Sequence, residues 1–237
     1  MTNNLPKVEN PSRQLILERL AQELLSGAGG DSGLPTTSGT AQRDKGKHTA
    51  RRVIGAAITL LLGEDTYSFS LRAIAEAAGI KLANVQYYYP TKKTLLQALF
   101  ETLGHAYAEA YWLTHNDALA PSVALEQALA VQIHDARQQV TRRFFLRLWL
   151  LLEESDGFSG ELLHDLYQHD IAPLTALVQA ANTALCTQEA AQRATMIAAT
   201  IEGSLIVVPG AQSTDPAFTS TMLKTCLRIA MADGHEA

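Results

Sequence analysis

The sequence has few of the residues that cross-link a fold or anchor it in a membrane. Its 237 residues include two cysteines, Cys186 and Cys226, which are too few for a disulfide framework and form no CxxC pair. No uninterrupted apolar run approaches the roughly 20 residues that cross a bilayer, and the N-terminus lacks the apolar core of a signal peptide. We therefore expect a soluble, cytoplasmic protein without membrane contact, in which Cys226 is a buried thiol.

Motifs of catalysis and cofactor binding are missing as well. The chain contains no GxGxxG, P-loop, HExxH or GxSxG sequence, so we expect neither an enzyme nor a bound cofactor. Asp165 and His169 have the i, i+4 spacing of metal ligands on a helix. No second group of ligands accompanies them, so we expect no metal site.

Strand-like alternation is absent, whereas apolar residues recur at helical spacing along most of the chain. This pattern predicts an all-α protein with three parts. Residues 1–44 are an N-terminal extension made of a short amphipathic helix (11–26) and a Gly-, Ser- and Thr-rich linker (27–44). Residues 45–93 form a domain of three helices, and residues 94–237 form a helical bundle. Whether helix 11–26 docks on the body, docks on a partner subunit or stays mobile is left open by the sequence. The helices expected after the linker are 47–62, 71–78, 82–89, 91–116, 121–140, 141–155, 161–185 with a kink near Pro173, 187–208 and 215–233.

Charge is distributed unevenly along the chain. The net charge is −5, but residues 43–93 hold nine Lys/Arg and four Asp/Glu and so carry +5, which leaves −10 for the rest. A basic segment on an acidic body is the layout expected of a DNA-binding module joined to a module that binds a partner or a ligand.

The basic segment has the order of residues found in a helix-turn-helix. Ser70 can cap a helix over 71–78, Gly79 can adopt the left-handed conformation that ends it, and a second short helix follows at 82–89. Thr91 can cap the next helix. In this motif the first helix crosses the phosphate backbone, and the second presents its N-terminal residues to bases in the major groove.

Several side chains of the second short helix suit DNA. Asn84 and Gln86 can pair bidentately with adenine. Tyr87 and Tyr88 can bond phosphates or pack on sugars and thymine methyl groups, whereas Tyr89 is expected to be packed in the core. The alternative interpretation of this segment is an ordinary helical hairpin with a solvated basic face.

The run SLRAIAEAAGIKLANVQYYYPTKKTLLQAL resembles the DNA-binding signature of TetR-family regulators. The likeness covers roughly residues 48–103, because RRVIGAAITLL upstream resembles the family's first helix. The family usually has Tyr where this chain has Gln86, and commonly Ser and Gly where it has Lys81 and Ala83, so base preference departs from the family while the motif is kept. The matching positions are Ser70, Ile74, Ala75, Ala78, Gly79, Ile80, Tyr89, Pro90, Thr91 and Lys92.

The residue types and the resemblance together predict a set of DNA contacts in and around the second short helix. The resemblance further implies a homodimer through the last two helices, a palindromic double-stranded operator, and a repressor that is released by a small-molecule effector bound in the bundle. The predicted DNA contacts are Thr49, Ser70, Arg72, Lys81, Leu82, Ala83, Asn84, Gln86, Tyr87, Tyr88 and Lys92.

Aromatic residues of the bundle could line the effector pocket, and the alternative is that they are plain core. Two other functions are also compatible with the sequence: a helical small-molecule carrier without a DNA role, and a regulator that recruits a protein partner through residues 1–44. The predicted pocket residues are Tyr107, Tyr111, Trp112, Phe145 and Trp149.

Overall fold

Every regular element in the described part of the chain is a helix. The computed structural model describes residues 16–27, 44–63, 69–112, 119–154, 160–208 and 215–232, excluding the side chains of 44–45, 111–112, 153–154 and 160–166. The prediction of an all-α fold is thereby confirmed. None of the described helices is both long enough and apolar enough to cross a membrane. The helices are α1 (Ile16–Ser26), α2 (Asp44–Leu62), α3 (Leu71–Ala77), α4 (Leu82–Tyr88), α5 (Lys92–Trp112), α6 (Pro121–Ala136), α7 (Gln139–Glu154), α8 (Gly160–Ala181), α9 (Thr187–Val207) and α10 (Pro216–Met231).

Two predicted helix ends lie four residues too far along the chain. The helix expected over 161–185 ends at Ala181. The helix expected over 121–140 ends at Ala136, and α7 begins at Gln139. Between them, the Arg137 guanidinium lies 4.8 Å from the centre of the Phe218 ring and donates to the carbonyl of Asp215 at 3.5 Å. These contacts tie the segment between α6 and α7 to the start of α10. The position of this helix break therefore depends on tertiary structure and not on a local Gly or Pro.

The first core lies among α1 to α5 and the inner face of α7. Ile58 of α2, Ile74 of α3 and Val85 of α4 are completely buried in it. Phe144 of α7 is completely buried in the same cluster. The two short helices are therefore held by packing, because seven residues are too few for a stable isolated helix.

Helix α1 is part of this core. Its apolar residues Leu17, Leu20 and Leu24 are buried, and the helix packs against α2. Gly55 of α2 permits the close approach, because a Cβ atom there would lie 2.9 Å from the Cβ of Leu24. Of the three arrangements left open by the sequence, the structure has helix 11–26 docked on the body, over the part of it that is described.

Replacing Leu17 by alanine is expected to lower the free energy of unfolding by about 2–5 kcal/mol, because the side chain is fully buried and its loss leaves a cavity. Urea unfolding followed by circular dichroism measures the change. Arg19→Ala, on the exposed face of the same helix, is the control and should cost at most about 1 kcal/mol, because it removes only an exposed ion pair with Glu23. Equal effects of the two substitutions would mean that α1 is not packed as described.

The second core lies among α6, α8, α9 and α10. Leu129, Val178 and Ile197 are completely buried in it, and Cys226 is fully buried as predicted. Partly buried Tyr107 contacts this core and the first one, as do Phe145 and Trp149. Helices α5 and α7 therefore connect the two cores.

Candidate DNA-binding surface and bundle cavity

The turn between α3 and α4 has the geometry that the sequence predicts. The Ser70 hydroxyl accepts a hydrogen bond from the amide of Ala73 at 3.2 Å and caps α3. Gly79 has a φ of +63°, a left-handed conformation in which a Cβ atom would be strained. From α2, the Arg52 guanidinium donates to the carbonyl of Ala78 at 2.6 Å, so the turn is fixed to the first predicted helix of the domain.

Helix α4 is anchored by two buried side chains. Val85 is fully buried, and Tyr89 is only 3% exposed, in agreement with the expectation that this tyrosine is packed. The Tyr89 hydroxyl donates to the carbonyl of Ala50 at 3.3 Å. Burial raises the pKa of Tyr89 above its ordinary value, so the group stays a neutral donor. These contacts fix the orientation of α4 against α2.

The rest of α4 faces solvent. Asn84, Gln86 and Tyr87 are exposed, and Tyr87 is 60% exposed although it is a large aromatic residue. The Tyr87 and Tyr88 rings meet edge to face with centroids 5.1 Å apart, which restricts both side chains. Among the other predicted contacts on this segment, Lys81 and Ala83 are exposed, and Leu82 and Tyr88 are partly buried.

The remaining predicted DNA contacts lie on or beside α2, α3 and α5. Ser70 and Arg72 are exposed at the start of α3, and Thr49 is partly buried on α2. Lys92 is partly buried at the start of α5, with its ammonium 5.9 Å from the centre of the Phe69 ring. Thr91 caps α5 as predicted, since its hydroxyl accepts from the amide of Thr94 at 3.1 Å.

A cavity opens in the bundle between α5, α6, α7, α8 and α9. The free space inside the cavity and at its mouth, which is open to solvent, totals about 630 Å³. Two of the predicted pocket residues, Tyr107 and Phe145, line it, with ring centroids 5.7 Å apart. Trp149 supports the wall by a hydrogen bond to the lining residue Tyr167. The side chains of the other two predicted residues, Tyr111 and Trp112, lie outside the described part.

His169 was considered as a polar anchor of a pocket and lines the cavity, whereas its carboxylates, Gln132 and Tyr167 were not anticipated from the sequence. Gln132 donates through its amide nitrogen to Asp170 at 2.7 Å, and the Tyr167 hydroxyl donates to Glu202 at 3.5 Å. A further carboxylate, Asp135, lies in the same wall. These side chains come from α6, α8 and α9, and helical spacing alone does not distinguish them from surface residues.

Burial and neighbouring negative charges raise the pKa values of one carboxyl group and two phenol groups in this cavity. Burial, followed by the negative charges of Asp170 and Asp135, raises the pKa of Glu202 from 4.5 to about 7. Burial also raises the pKa of Tyr107 and of Tyr167, with neighbouring carboxylates adding to the effect. The wall therefore contains acid groups that resist ionisation in the absence of a compensating cation.

A close crossing brings α8 against α5 at one end of the cavity. A Cβ atom at Gly104 would lie 2.8 Å from the His169 ring, so any larger residue at this point of α5 would require His169 to shift. The centroids of the His169 and His105 rings are 4.9 Å apart. Burial, followed by the charge of His169, lowers the pKa of His105.

Helix α7 joins the cavity to the C-terminal end of α2. Thr141 and Phe145 of α7 line the cavity. Farther along the same helix, Arg147 donates to the carbonyl of Leu61 at 2.9 Å and also to the carbonyl of Gly63, at the C-terminal end of α2. Arginine suits this position because the last carbonyls of a helix lack partners and carry partial negative charge.

Comparison with known proteins identifies a structural relative. No family model matches the sequence, and no curated protein does. Among solved structures, a transcriptional regulator from Rhodococcus sp. Rha1 is similar, with a TM-score of 0.53 and 19% sequence identity. The similarity covers 76% of this chain and 91% of that chain. The chain thus shares its helical fold with a solved transcriptional regulator.

Proposed function

We propose that this chain is a homodimeric, ligand-responsive transcriptional regulator of the TetR type and that it acts as a repressor. In this proposal, α4 inserts into the major groove of an operator. One observation carries the proposal: a capped helix, a left-handed glycine turn and a short helix that is anchored on its inner face by Val85 and Tyr89. Its outer face offers Asn84 and Gln86, which match the hydrogen-bonding edges of bases. The fold shared with a solved regulator supports the same conclusion.

A stripe on α9 is suited to the dimer contact. Met196 and Ile206 are 57% and 58% exposed, which is unusual for large apolar side chains beside a packed core. Ala199 and Gly203 lie between them at helical spacing, and nothing lies within 4 Å of a Cβ atom built on Gly203. Small residues flanked by large apolar ones permit close packing of two helices. We place the subunit interface on this stripe, with neighbouring Met231 of α10, 45% exposed, at its side.

In this proposal, α7 transmits ligand binding in the cavity to the helices that contact DNA. A ligand that contacts Phe145 moves the helix whose Arg147 holds the end of α2. A dimer fits two half-sites only when its recognition helices are about 34–36 Å apart. A ligand that favours a different spacing therefore shifts the population away from the form that binds DNA.

The DNA contacts can be tested on a duplex selected from a random pool. Lys92→Ala is expected to weaken binding to all duplexes and to lower the salt slope by about 1, because it removes a phosphate contact. Asn84→Ala is expected to relax preference at one base position, at a cost of about 1–3 kcal/mol on the selected sequence. Fluorescence anisotropy at two salt concentrations measures both effects.

The matched control is Lys224→Ala, which removes the same charge from the exposed side of α10. It should leave affinity and salt slope unchanged. If the three variants behave alike, α4 and the start of α5 do not form the DNA-binding surface.

The second candidate function is a small-molecule carrier without a DNA role, and the cavity among α5 to α9 is the observation that favours it. The experiment above decides between the two, since a carrier would not discriminate between the selected duplex and a random one.

A further inference from the structure

The bundle cavity has a wall whose charged groups are nearly all acidic. Asp135 of α6, Asp170 of α8 and Glu202 of α9 line it from three helices. Among the described lining residues there is no lysine and no arginine, and His169 is the only basic side chain. A cavity with this lining has a negative potential and favours a positively charged occupant.

Gln132 provides an independent indication of a ligand. The residue is 5% exposed, and its amide nitrogen is 2.7 Å from Asp170. A carboxylate accepts hydrogen bonds, so the amide nitrogen has to face Asp170, which fixes the orientation of the amide. The Oε1 atom then remains a buried acceptor that has no hydrogen-bond partner in the described part of the chain. A buried acceptor of this kind is stabilised by a donor from outside.

A metal ion does not account for this wall. Within the described residues, no three carboxylate, histidine or cysteine side chains are placed so that they could hold one ion. The remaining wall is apolar or aromatic, with Phe145, Ile201 and Leu205 among its residues. The occupant suited to both parts of the wall has a charged N–H donor at one end and an apolar body at the other.

We propose that the cavity binds a small amphiphilic amine in its protonated form. Its ammonium group lies among Gln132 Oε1, Asp170 and Glu202, and its apolar body lies against Phe145 and Ile201. This proposal deepens the proposed function, in that the amine would be the effector that releases DNA. A primary ammonium satisfies the Gln132 acceptor, whereas a quaternary ammonium has no N–H and should bind less well.

The test measures ligand binding to the full chain by isothermal titration and by thermal shift. The probes are primary amines from butylamine to 4-phenylbutylamine, each paired with the alcohol of the same skeleton, together with phenylacetate and phenethyltrimethylammonium. We expect at least one amine to bind at least tenfold more tightly than its alcohol. Phenylacetate should not bind, and phenethyltrimethylammonium should bind more weakly than phenethylamine. Failure of every amine up to 10 mM, or equal binding of amines and alcohols, would overturn the proposal.

Substitutions assign the binding to this wall. Glu202→Gln and Gln132→Leu should each weaken amine binding at least tenfold, whereas Glu109→Gln, on the exposed side of α5, should not. Circular dichroism confirms that each variant is folded, and if Gln132→Leu does not fold, Gln132→Met, which keeps the length of the side chain and removes the Oε1 acceptor, is used with the same expectation. Unchanged amine affinity in the folded cavity variants would also overturn the proposal.

A parallel titration of the protein–duplex complex separates the two proposals. Amine binding without any specific duplex binding would contradict the regulator function while leaving the amine site intact. Specific duplex binding that no amine affects, together with no amine binding, would contradict the amine site while leaving the regulator function intact.

Discussion

Replacement of Ile206 by glutamate is expected to convert the protein to a monomer and to weaken operator binding at least ~100-fold. The side chain is 58% exposed in one subunit and lies on the stripe that we assign to the dimer, so the substitution would bury a charge in the interface. A monomer engages one half-site at a time and loses the gain from linked binding, which is typically about 10²–10⁴-fold. Sedimentation equilibrium and fluorescence anisotropy measure the two effects.

Ser122→Glu is the control for this experiment. It introduces the same charge at an exposed position in the first turn of α6, where a carboxylate is favourable. It should remain dimeric and bind DNA as the natural chain does. If the Ile206→Glu variant stays dimeric with normal affinity, the interface lies elsewhere.

The second large effect concerns the stability of the bundle as a function of pH. The pKa of Glu202 rises from 4.5 to about 7 on folding. The folded state therefore holds the proton more tightly than the unfolded state, so this group's contribution is most favourable below pH 4.5 and is lost as the pH rises through 7. A pKa difference of this size lowers the free energy of unfolding at pH 8 by roughly 2–4 kcal/mol, relative to a chain in which this group stays neutral.

Glutamine at position 202 keeps the shape and cannot ionise. Glu202→Gln is therefore expected to be more stable than the natural chain at pH 8 by roughly 2–4 kcal/mol, or about 4–12 °C in Tm, with the difference falling below about 1 kcal/mol at pH 5. The groups that face Glu202 are Tyr167, Asp170 and Asp135, and Tyr107 and His169 line the same wall. Scanning calorimetry between pH 5 and pH 8 provides the measurement.

Glu109→Gln serves as the control, because it removes an exposed carboxylate from α5 and should shift Tm equally little at both pH values. A Glu202→Gln difference that does not change with pH would mean that Glu202 is ionised throughout and is not held in an acidic wall. If the expected pattern is found, the carboxylate in the cavity makes the chain less stable near neutral pH than glutamine would. Such a loss of stability is common at binding sites.

The parts of the fold that were predictable depend on local chemistry. Ser70, Gly79 and Thr91 act as cap, turn and cap because each needs only its immediate neighbours, and apolar spacing located the long helices. The packing of Tyr89 was also predictable, since it directly precedes Pro90 at the end of a short helix.

The parts that were not predictable depend on contacts distant in sequence. The docking of α1 requires Gly55 of another helix, and the break after Ala136 is stabilised by Phe218 of α10. The acidic wall was missed because Asp170 and Glu202 occupy helix positions that a sequence presents as ordinary surface. Only the packing of α8 against α9 places them in one cavity.

The docking of α1 also bears on the proposal that residues 1–44 recruit a protein partner. Leu17, Leu20 and Leu24 are buried against the body, so the apolar face of α1 is already occupied. A partner that used this segment would have to bind its exposed face or the residues outside the described part.

In the proposed complex, α4 reads a specific, two-fold symmetric DNA sequence. The direct measurement is selection of bound duplexes from a random pool by the full-length chain, followed by affinity measurement against a scrambled duplex at 50 and 200 mM salt. We expect enrichment of an inverted repeat with half-sites about one helical turn apart, bound far more tightly than the scrambled duplex and with a steep salt dependence. Absence of any enriched sequence, or equal affinity for enriched and scrambled duplexes, would contradict this proposal.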